Sequence, residues 1–122
     1  MEEKSILVIE DNQLNMKLVR ALLKIGDYHI LEAINAETGI RLTREHHPDL
    51  VLIDIQLPDM DGLKATRIMK EDPAIKNIPV VAITSYAMQG DEEKAYEAGC
   101  VGFITKPIDT RHFLETISKF IT

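Results

Sequence analysis

The sequence predicts an α/β fold in which helices cover both faces of a five-stranded parallel sheet. Three observations lead to this prediction. Five short apolar runs recur along the 122 residues, and each is followed by a segment whose apolar residues have helical spacing. No linker, internal repeat or low-complexity tract interrupts the alternation. Because a crossover between parallel strands usually carries a helix back over the sheet, the alternation indicates a parallel sheet.

The predicted strands are short runs of mostly apolar residues. They are Ser5–Ile9, Tyr28–Ala33, the run from Val51 to Asp54, Pro79–Ile83 and Val101–Thr105. The second run alternates apolar and polar residues and is typical of an edge strand, whereas the third is apolar until Asp54 and is typical of a strand buried on both faces. The common arrangement of five such strands is the flavodoxin-like doubly wound (βα)5 fold, with order 2-1-3-4-5.

Start and stop signals mark the helices between these strands. Side chains that can cap a helix precede the first, second, third and fifth helices; they are Asn12, Asn35, Asp61 and Asp109. The expected ends are Gly26, the residues before Pro48, about Lys70 and Gly99. The third helix should begin near Gly62, and the fourth should run from Asp91 to Ala98.

Apolar stripes predict which helix faces are buried. The first helix has one such stripe, formed by Leu14, Leu18, Leu22 and Ile25. The last helix has another, formed by Phe113, Leu114, Ile117 and Ile121. The fourth helix has few apolar residues (Ala95, Tyr96 and Ala98), so we expect it to pack less tightly than the others and to shift easily.

Composition and charge restrict the class of protein. The formal net charge is −6, and 28% of the residues are charged, with no cluster of lysine and arginine. A negative chain of this kind is a poor ligand for nucleic acid or an anionic membrane. The single cysteine, Cys100, excludes an internal disulfide and is expected to be a small buried apolar residue. No signal peptide or membrane span is present, so we expect one cytoplasmic domain over residues 1–122 without an output domain.

Charged and polar residues stand where the predicted strands end. These are Glu10 and Asp11 after the first strand, Asp54 at the end of the third, Thr84 after the fourth and Lys106 after the fifth. In the expected topology these ends share one edge, at which ligands bind. Three carboxylates in such a cluster would repel one another unless a hard cation such as Mg²⁺ lay among them.

Each residue also has an ordinary structural explanation. The acids Glu10 and Asp11 favour the start of a helix in any protein. Backbone amides can satisfy Asp54, Lys106 can be a solvated surface charge, and Thr84 can be buried by its methyl group. The indication of a site therefore comes from the set of residues and their common position at strand ends.

Four segments carry a resemblance to a known family. They are Ile9–Asn12, Leu52–Pro58 with Asp61–Gly62, Ala82–Thr84 and Gly102–Pro107. Together they resemble the receiver domain of bacterial two-component response regulators, over essentially the whole chain. Within the family, residues 10–18, 87–93 and 112–117 are most similar to single-domain regulators of cell polarity and division.

The resemblance implies a role for each residue of the set. Asp54 would be the phosphoacceptor, Thr84 and Lys106 would contact the phosphoryl group, and Phe103 would be the aromatic switch residue. Mg²⁺ would be bound by Asp11, Asp54 and the backbone carbonyl of Gln56, with Glu10 acting directly or through water. The Lys106–Pro107 bond would be cis, as is typical of the family. Gln56 and Tyr86 would tune the lifetime of the phosphate.

The resemblance also implies partners. The phosphoryl donor would be a phosphohistidine on a sensor histidine kinase or a phosphotransfer protein, and targets would bind the face formed by the fourth helix, fifth strand and fifth helix. Neither nucleic acid nor membrane is an expected partner. The protein would be a regulatory phosphoacceptor that catalyses only its own phosphorylation and dephosphorylation, and is otherwise not an enzyme.

Three other interpretations are open. The chain could be the receiver domain of a hybrid histidine kinase or of a larger regulator. A flavodoxin-like cofactor-binding protein would need a phosphate-binding loop after the first strand, where Glu10 and Asp11 stand without a glycine-rich segment. An aspartate-based phosphatase would typically have a second acid two residues after Asp54, where this chain has Gln56.

Overall fold

The computed structural model describes residues 3–85 and 90–121, in which strands and helices alternate. The strands are β1 (Ser5–Ile9), β2 (His29–Ala33), β3 (Leu50–Asp54), β4 (Val80–Thr84) and β5 (Gly102–Thr105). The helices are α1 (Gln13–Ile25), α2 (Ala36–His46), α3 (Gly62–Glu71), α4 (Asp91–Ala98) and α5 (Phe113–Phe120). Tyr86, which the resemblance assigns to phosphate lifetime, lies outside the described residues.

The sheet has the predicted topology. All its strands are parallel, and their order is β2-β1-β3-β4-β5. Thus β2 is an edge strand, as its alternating sequence predicts, and every residue of β3 and β4 is buried. Strand β2 lies on one side of β1, whereas β3, β4 and β5 lie on the other. The loops that follow β1 and β3 therefore diverge and leave a crevice between them.

Successive residues of the central strands serve two separate cores. In β1, Ile6 and Val8 pack with α1 and α5, whereas Leu7 and Ile9 pack with α2 and α3. This division follows from the two-residue period of a strand, which sends neighbouring side chains to opposite faces. Both faces of the sheet are therefore buried, and the open region is the edge where the strands end.

The fourth strand starts one residue later than predicted. Pro79 has no N–H to donate to a neighbouring strand, so β4 begins at Val80. The Pro79 carbonyl still accepts a hydrogen bond from the Val51 amide at 3.0 Å. The pairing of β3 with β4 therefore extends slightly beyond the strand itself.

The predicted buried stripe of α1 is correct for Leu22 but wrong for Leu14 and Ile25. The buried residues of the helix are Met16, Val19, Leu22 and Leu23. Leu14 and Ile25 remain 76% and 71% exposed, and Leu18 is only partly buried. Two sets of residues share the spacing of a helix face, and packing against β1, β3 and α5 selects the set that includes Met16 and Val19. Asn12 does cap the helix, accepting hydrogen bonds from the amides of Leu14 and Asn15.

The predicted cap of α5 is also wrong. The helix begins at Phe113, so Asp109 lies too early in the chain to cap it. Its carboxylate instead accepts a hydrogen bond from the Arg111 amide at 3.0 Å and contacts the His112 ring Nδ1 at 2.8 Å. Phe113 and Ile117 are buried as predicted, and Ile121 is buried just beyond the end of the helix.

The expected burial of Cys100 and the predicted caps of α2 and α3 are confirmed. Cys100 is buried and lies 3.9 Å from the Thr66 hydroxyl oxygen, and all four histidines are exposed. Asn35 and Asp61 cap α2 and α3 through hydrogen bonds from backbone amides. Within residues 3–85 and 90–121, no helix combines the length and apolar character needed to cross a membrane.

The contact between Asp109 and His112 predicts a pH-dependent contribution to stability. The carboxylate raises the pKa of the His112 imidazole above its ordinary value. A group whose pKa is higher in the folded protein than in the unfolded chain stabilises the fold. This contribution is complete at pH values below the pKa of the unfolded chain and is lost as the pH rises through the pKa of the folded protein. In an NMR titration we expect His112 to titrate above about 6.5, and Asp109→Asn to lower its midpoint. An unchanged midpoint in Asp109→Asn would contradict the assignment.

Replacing Gly62 should lower the stability of the protein, because Gly62 lies against the backbone at the end of β3. A Cβ at this position would overlap the Asp54 carbonyl oxygen and lie 2.9 Å from Ile55 Cα. Since these are backbone atoms, the loop or α3 would have to move. Urea unfolding should show Gly62→Ala to be less stable by about 2–3 kcal/mol. The exposed change Lys64→Ala in the same helix should cost less than about 0.5 kcal/mol, and an equal cost for both variants would refute the steric explanation.

Candidate functional site

Three charged side chains at the ends of three different strands meet at the carboxyl edge of the sheet. Lys106 Nζ lies 2.6 Å from Glu10 Oε1 and 2.9 Å from Asp54 Oδ2. All three side chains are at least nine-tenths buried. One ammonium therefore bridges two carboxylates that are 44 residues apart in the sequence and would otherwise repel each other.

Backbone pairing brings these side chains together. Glu10 follows β1, and its amide donates to the Ala33 carbonyl at 3.0 Å. Asp54 is the last residue of β3 and is in register with Ile83 of β4. The Lys106 amide donates to the Thr84 carbonyl at 2.8 Å, which extends the pairing of β4 with β5. The ends of parallel strands thus place the three side chains at one edge without any long loop.

Backbone amides hold the remaining carboxylate oxygens. Asp54 Oδ1 accepts a hydrogen bond from the Gln56 amide at 2.9 Å, and Glu10 Oε2 accepts one from the Asn12 amide at 3.2 Å. Among the described residues, no buried side-chain nitrogen or oxygen lacks a hydrogen-bond partner. Each carboxylate is consequently fixed in orientation by an amide on one side and the Lys106 ammonium on the other.

Burial and charge change the acidity of this group. Burial raises the pKa of Glu10 to about 6; Lys106 partly opposes this shift, and nearby Asp54 adds to it. Burial would by itself lower the pKa of Lys106, but its bonds to Glu10 and Asp54 outweigh that effect and raise it. Lys106 is therefore a fixed positive charge at neutral pH.

A third carboxylate, that of Asp11, completes an acidic cluster. Oxygen atoms of Glu10, Asp11 and Asp54 all lie within 4.8 Å of one another, and Asp11 is exposed whereas the other two are buried. The carboxylates outnumber the single ammonium that contacts the cluster in the described structure, so the cluster favours additional positive charge. Oxygen donors with this excess of negative charge suit Mg²⁺.

The cluster opens into a shallow cavity. Its lining includes Asp11, Asn12, Gln13, Asn15, Asp54, Gln56, Leu57, Pro58, Ser85 and Lys106. The loop between β3 and α3 forms one wall and the start of α1 forms another. Sequence reasoning did not single out Asn15 or Ser85, although Ser85 directly follows Thr84 at a strand end and that position could have indicated it.

Thr84 and Phe103 lie beside the cavity and do not line it. Thr84 ends β4 and is buried, in register with Thr105 of β5. Phe103 of β5 lies opposite Ala82 of β4. Its side chain is half-buried and packs against the core on the α2–α3–α4 side of the sheet. The Lys106–Pro107 bond is cis, as the family resemblance implies.

Comparison with known proteins identifies relatives along nearly the whole chain. Residues 6–118 match the family described as the response regulator receiver domain. The chain is also similar to the polar-differentiation response regulator DivK of Brucella ovis. The two are 45% identical over 118 residues, which span 97% of this chain and 96% of that protein.

Solved structures show the same fold. The receiver domain of sensor histidine kinase PA1611 from Pseudomonas aeruginosa, with a magnesium ion coordinated in its active site cleft, is 27% identical with a TM-score of 0.89. The alignment covers 98% of each chain. Chemotaxis response regulator CheY4 of Vibrio cholerae has a TM-score of 0.91 at 17% identity, covering 98% of this chain and 100% of that one, and supports the fold alone. The family match and the identity to DivK show that this chain belongs to the response regulator receiver domain family.

Proposed function

We propose that this receiver domain accepts a phosphoryl group on Asp54 and signals through the resulting change in its surface. The observation that carries the proposal is the bridge from Lys106 Nζ to Asp54 Oδ2 at 2.9 Å, in a buried acidic cluster that opens to solvent at Asp11. This arrangement combines a fixed carboxylate with a fixed positive charge beside it. Phosphoryl transfer depends on such positioning and charge stabilisation more than on acid–base chemistry.

In the proposed reaction Asp54 is the nucleophile. A carboxylate oxygen forms a bond to the phosphorus of a phosphohistidine, the phosphorus–nitrogen bond breaks, and its electron pair returns to the imidazole of the donor. The amide of Gln56 holds the carboxylate in position, and Lys106 is close enough to bind an oxygen of the transferred group. The donor would be a sensor histidine kinase or a histidine phosphotransfer protein.

The residues for a divalent cation fit Mg²⁺. Asp11 and Asp54 would be direct ligands together with the backbone carbonyl of Gln56, and Glu10 would act directly or through water. Bound Mg²⁺ would supply positive charge that stabilises the oxygens of the phosphoryl group. Glu10 is engaged by Lys106 at 2.6 Å, so it would mainly hold the ammonium and complete the charge of the cluster.

The proposed switch begins with Thr84. A phosphoryl group on Asp54 offers oxygens that can accept a hydrogen bond from the Thr84 hydroxyl, which would draw the end of β4 towards the site. Space would then open for Phe103, which is half-buried two residues along the neighbouring strand.

The proposed output is the face of α4, β5 and α5. Tyr96 of α4 and Val101, which precedes β5, are each 46% exposed, and the buried residues of α4 are Ala95 and Ala98. Few buried contacts make an element easy to displace. Similarity to the polar-differentiation response regulator DivK over 96% of that protein supports a role in the control of cell polarity and the cell cycle. Such a regulator would be cytoplasmic and would catalyse only its own phosphorylation and dephosphorylation.

Phosphorylation of Asp54 can be tested by intact mass. Incubation with Mg²⁺ and acetyl phosphate should add one phosphoryl group, because the small donor needs no docking surface. Asp54→Ala and removal of Mg²⁺ with EDTA should each abolish the adduct. As a matched control, Asp27→Asn changes an acid outside the site at a left-handed position that asparagine tolerates, and should leave the adduct intact. An adduct that persists in Asp54→Ala would overturn the assignment.

The switch can be tested with beryllofluoride, which imitates a phosphoryl group on a carboxylate. In the presence of Mg²⁺ it should change the NMR signals of the Phe103 ring in the wild type and in Thr84→Ser, which keeps the hydroxyl. Thr84→Val removes the hydroxyl and should abolish most of that change. If the Phe103 signals stay the same in the wild type, or change as much in Thr84→Val, the hydroxyl does not operate the switch.

A further inference from the structure

The loop between β3 and α3, residues 55–61, is closed at its base by backbone contacts. The Gln56 amide donates to Asp54 Oδ1 at 2.9 Å, an antiparallel bridge pairs Gln56 with Asp61, and the Gly62 amide donates to the Ile55 carbonyl at 2.7 Å. Beyond this base, Leu57 and Pro58 extend along the candidate site and form part of its wall. The position of that wall depends on what holds the tip of the loop.

The tip is held by Asp59, whose carboxylate points away from the site and towards α2. Asp59 Oδ1 accepts a hydrogen bond from the Ala36 amide at 2.8 Å, and Oδ2 accepts one from the Glu37 amide at 2.9 Å. These amides belong to the first turn of α2, where backbone N–H groups have no partner within the helix. The loop thus supplies α2 with two of its N-terminal acceptors.

We propose that Asp59 is a positioning residue for the candidate site, because its bonds to α2 fix the loop that carries the Gln56 carbonyl and the Leu57–Pro58 wall. The inference rests on the proposed function insofar as Gln56 is a ligand of Mg²⁺. Asp59 itself is exposed and touches neither the cavity nor the acidic cluster. Its effect on the site would pass entirely through the backbone of residues 56–58.

The electrostatics of the contact support a strong anchor. Both carboxylate oxygens are used, each by a different amide, so the side chain has a single favoured orientation. The positive end of the α2 dipole adds to the attraction. The bonds to the amides of Ala36 and Glu37 lower the pKa of Asp59, so it stays charged over the whole physiological range.

The alternative is that Asp59 merely stabilises α2, and Asn35 provides the means to separate the two explanations. Asn35 caps the same helix end by accepting a hydrogen bond from the Thr38 amide at 2.8 Å. In the described part of the chain no hydrogen bond joins the Asn35 side chain to residues 55–61, so Asn35→Ala weakens the start of α2 without releasing the loop. Asp59→Ala weakens that start and also releases the loop.

The first measurement uses the free protein and needs no metal. Amide hydrogen exchange at Gln56 and Leu57 should become several-fold faster in Asp59→Ala and stay at the wild-type rate in Asn35→Ala. Asp59→Asn keeps an oxygen that can accept one of the two bonds, and should give an intermediate rate. Unchanged exchange in Asp59→Ala, or equal acceleration in Asn35→Ala, would show that Asp59 does not position the loop.

The second measurement is the affinity for Mg²⁺ by titration calorimetry. We expect Asp59→Ala to weaken binding by about 10-fold, at the lower end of the effects of outer-shell residues on metal sites. Asn35→Ala should bind as the wild type does, and Asp59→Asn should recover part of the loss. If Asp59→Ala bound Mg²⁺ as tightly as the wild type, Asp59 would not be a positioning residue for the metal site. A wild type that binds no Mg²⁺ would instead refute the proposed metal site, and the exchange rates would still decide whether Asp59 holds the loop.

Discussion

The ammonium of Lys106 is the interaction on which the candidate site depends. Glu10 and Asp54 have side chains only 4% and 8% exposed, and two such carboxylates cannot both remain charged in one place without a partner. Lys106 can reach both of them only if β5 lies next to β4 and β4 next to β3. The charge site therefore requires β3, β4 and β5 to be neighbours in the sheet, as they are in the order 2-1-3-4-5.

The same ammonium leaves the cluster incompletely neutralised. Asp11 adds a third carboxylate at the solvent side, within 4.8 Å of the other two, so the site can attract a cation from solution. A cation bound at that side and Lys106 at the other would place positive charge on two sides of Asp54. This arrangement suits a nucleophile that has to approach a phosphoryl group, which itself carries negative charge.

How much the sequence reveals depends on whether a feature is local or set by packing. The strands and the polar residues at their ends follow from short apolar runs, which are local signals. The strand order, and with it the convergence of Glu10, Asp54 and Lys106, is inferred from the common arrangement of five such strands. The buried face of α1 could not be predicted in this way, because Leu14 and Met16 belong to alternative faces with similar spacing and only the neighbouring elements decide between them. Asp109 is likewise a residue type that often caps helices, but the chain before α5 places its carboxylate next to His112 instead.

Asp59 shows the same limit within the site itself. Its sequence context indicates only a turn before α3, and nothing local connects it with the start of α2, more than 20 residues earlier. That connection exists because β1 lies between β2 and β3, which brings the loops after β2 and β3 to the same end of the sheet. Long-range hydrogen bonds of loop side chains are therefore the part of the site that requires the structure.

The anchors around Asp54 also determine the direction in which a change can spread. On the side of α2 and α3, the backbone is held by Asp59 and by Gly62, which lies too close to the Asp54 carbonyl to admit a Cβ. Beside β4 and β5, α4 begins at Asp91 after an N-terminal Gly90 that has no side chain to cap it, and its buried residues are two alanines. A new charge on Asp54 would therefore meet firm resistance towards α2 and α3 and little towards α4. Displacement would consequently concentrate on β4, α4 and the adjoining face, where the proposed switch residues Thr84 and Phe103 lie.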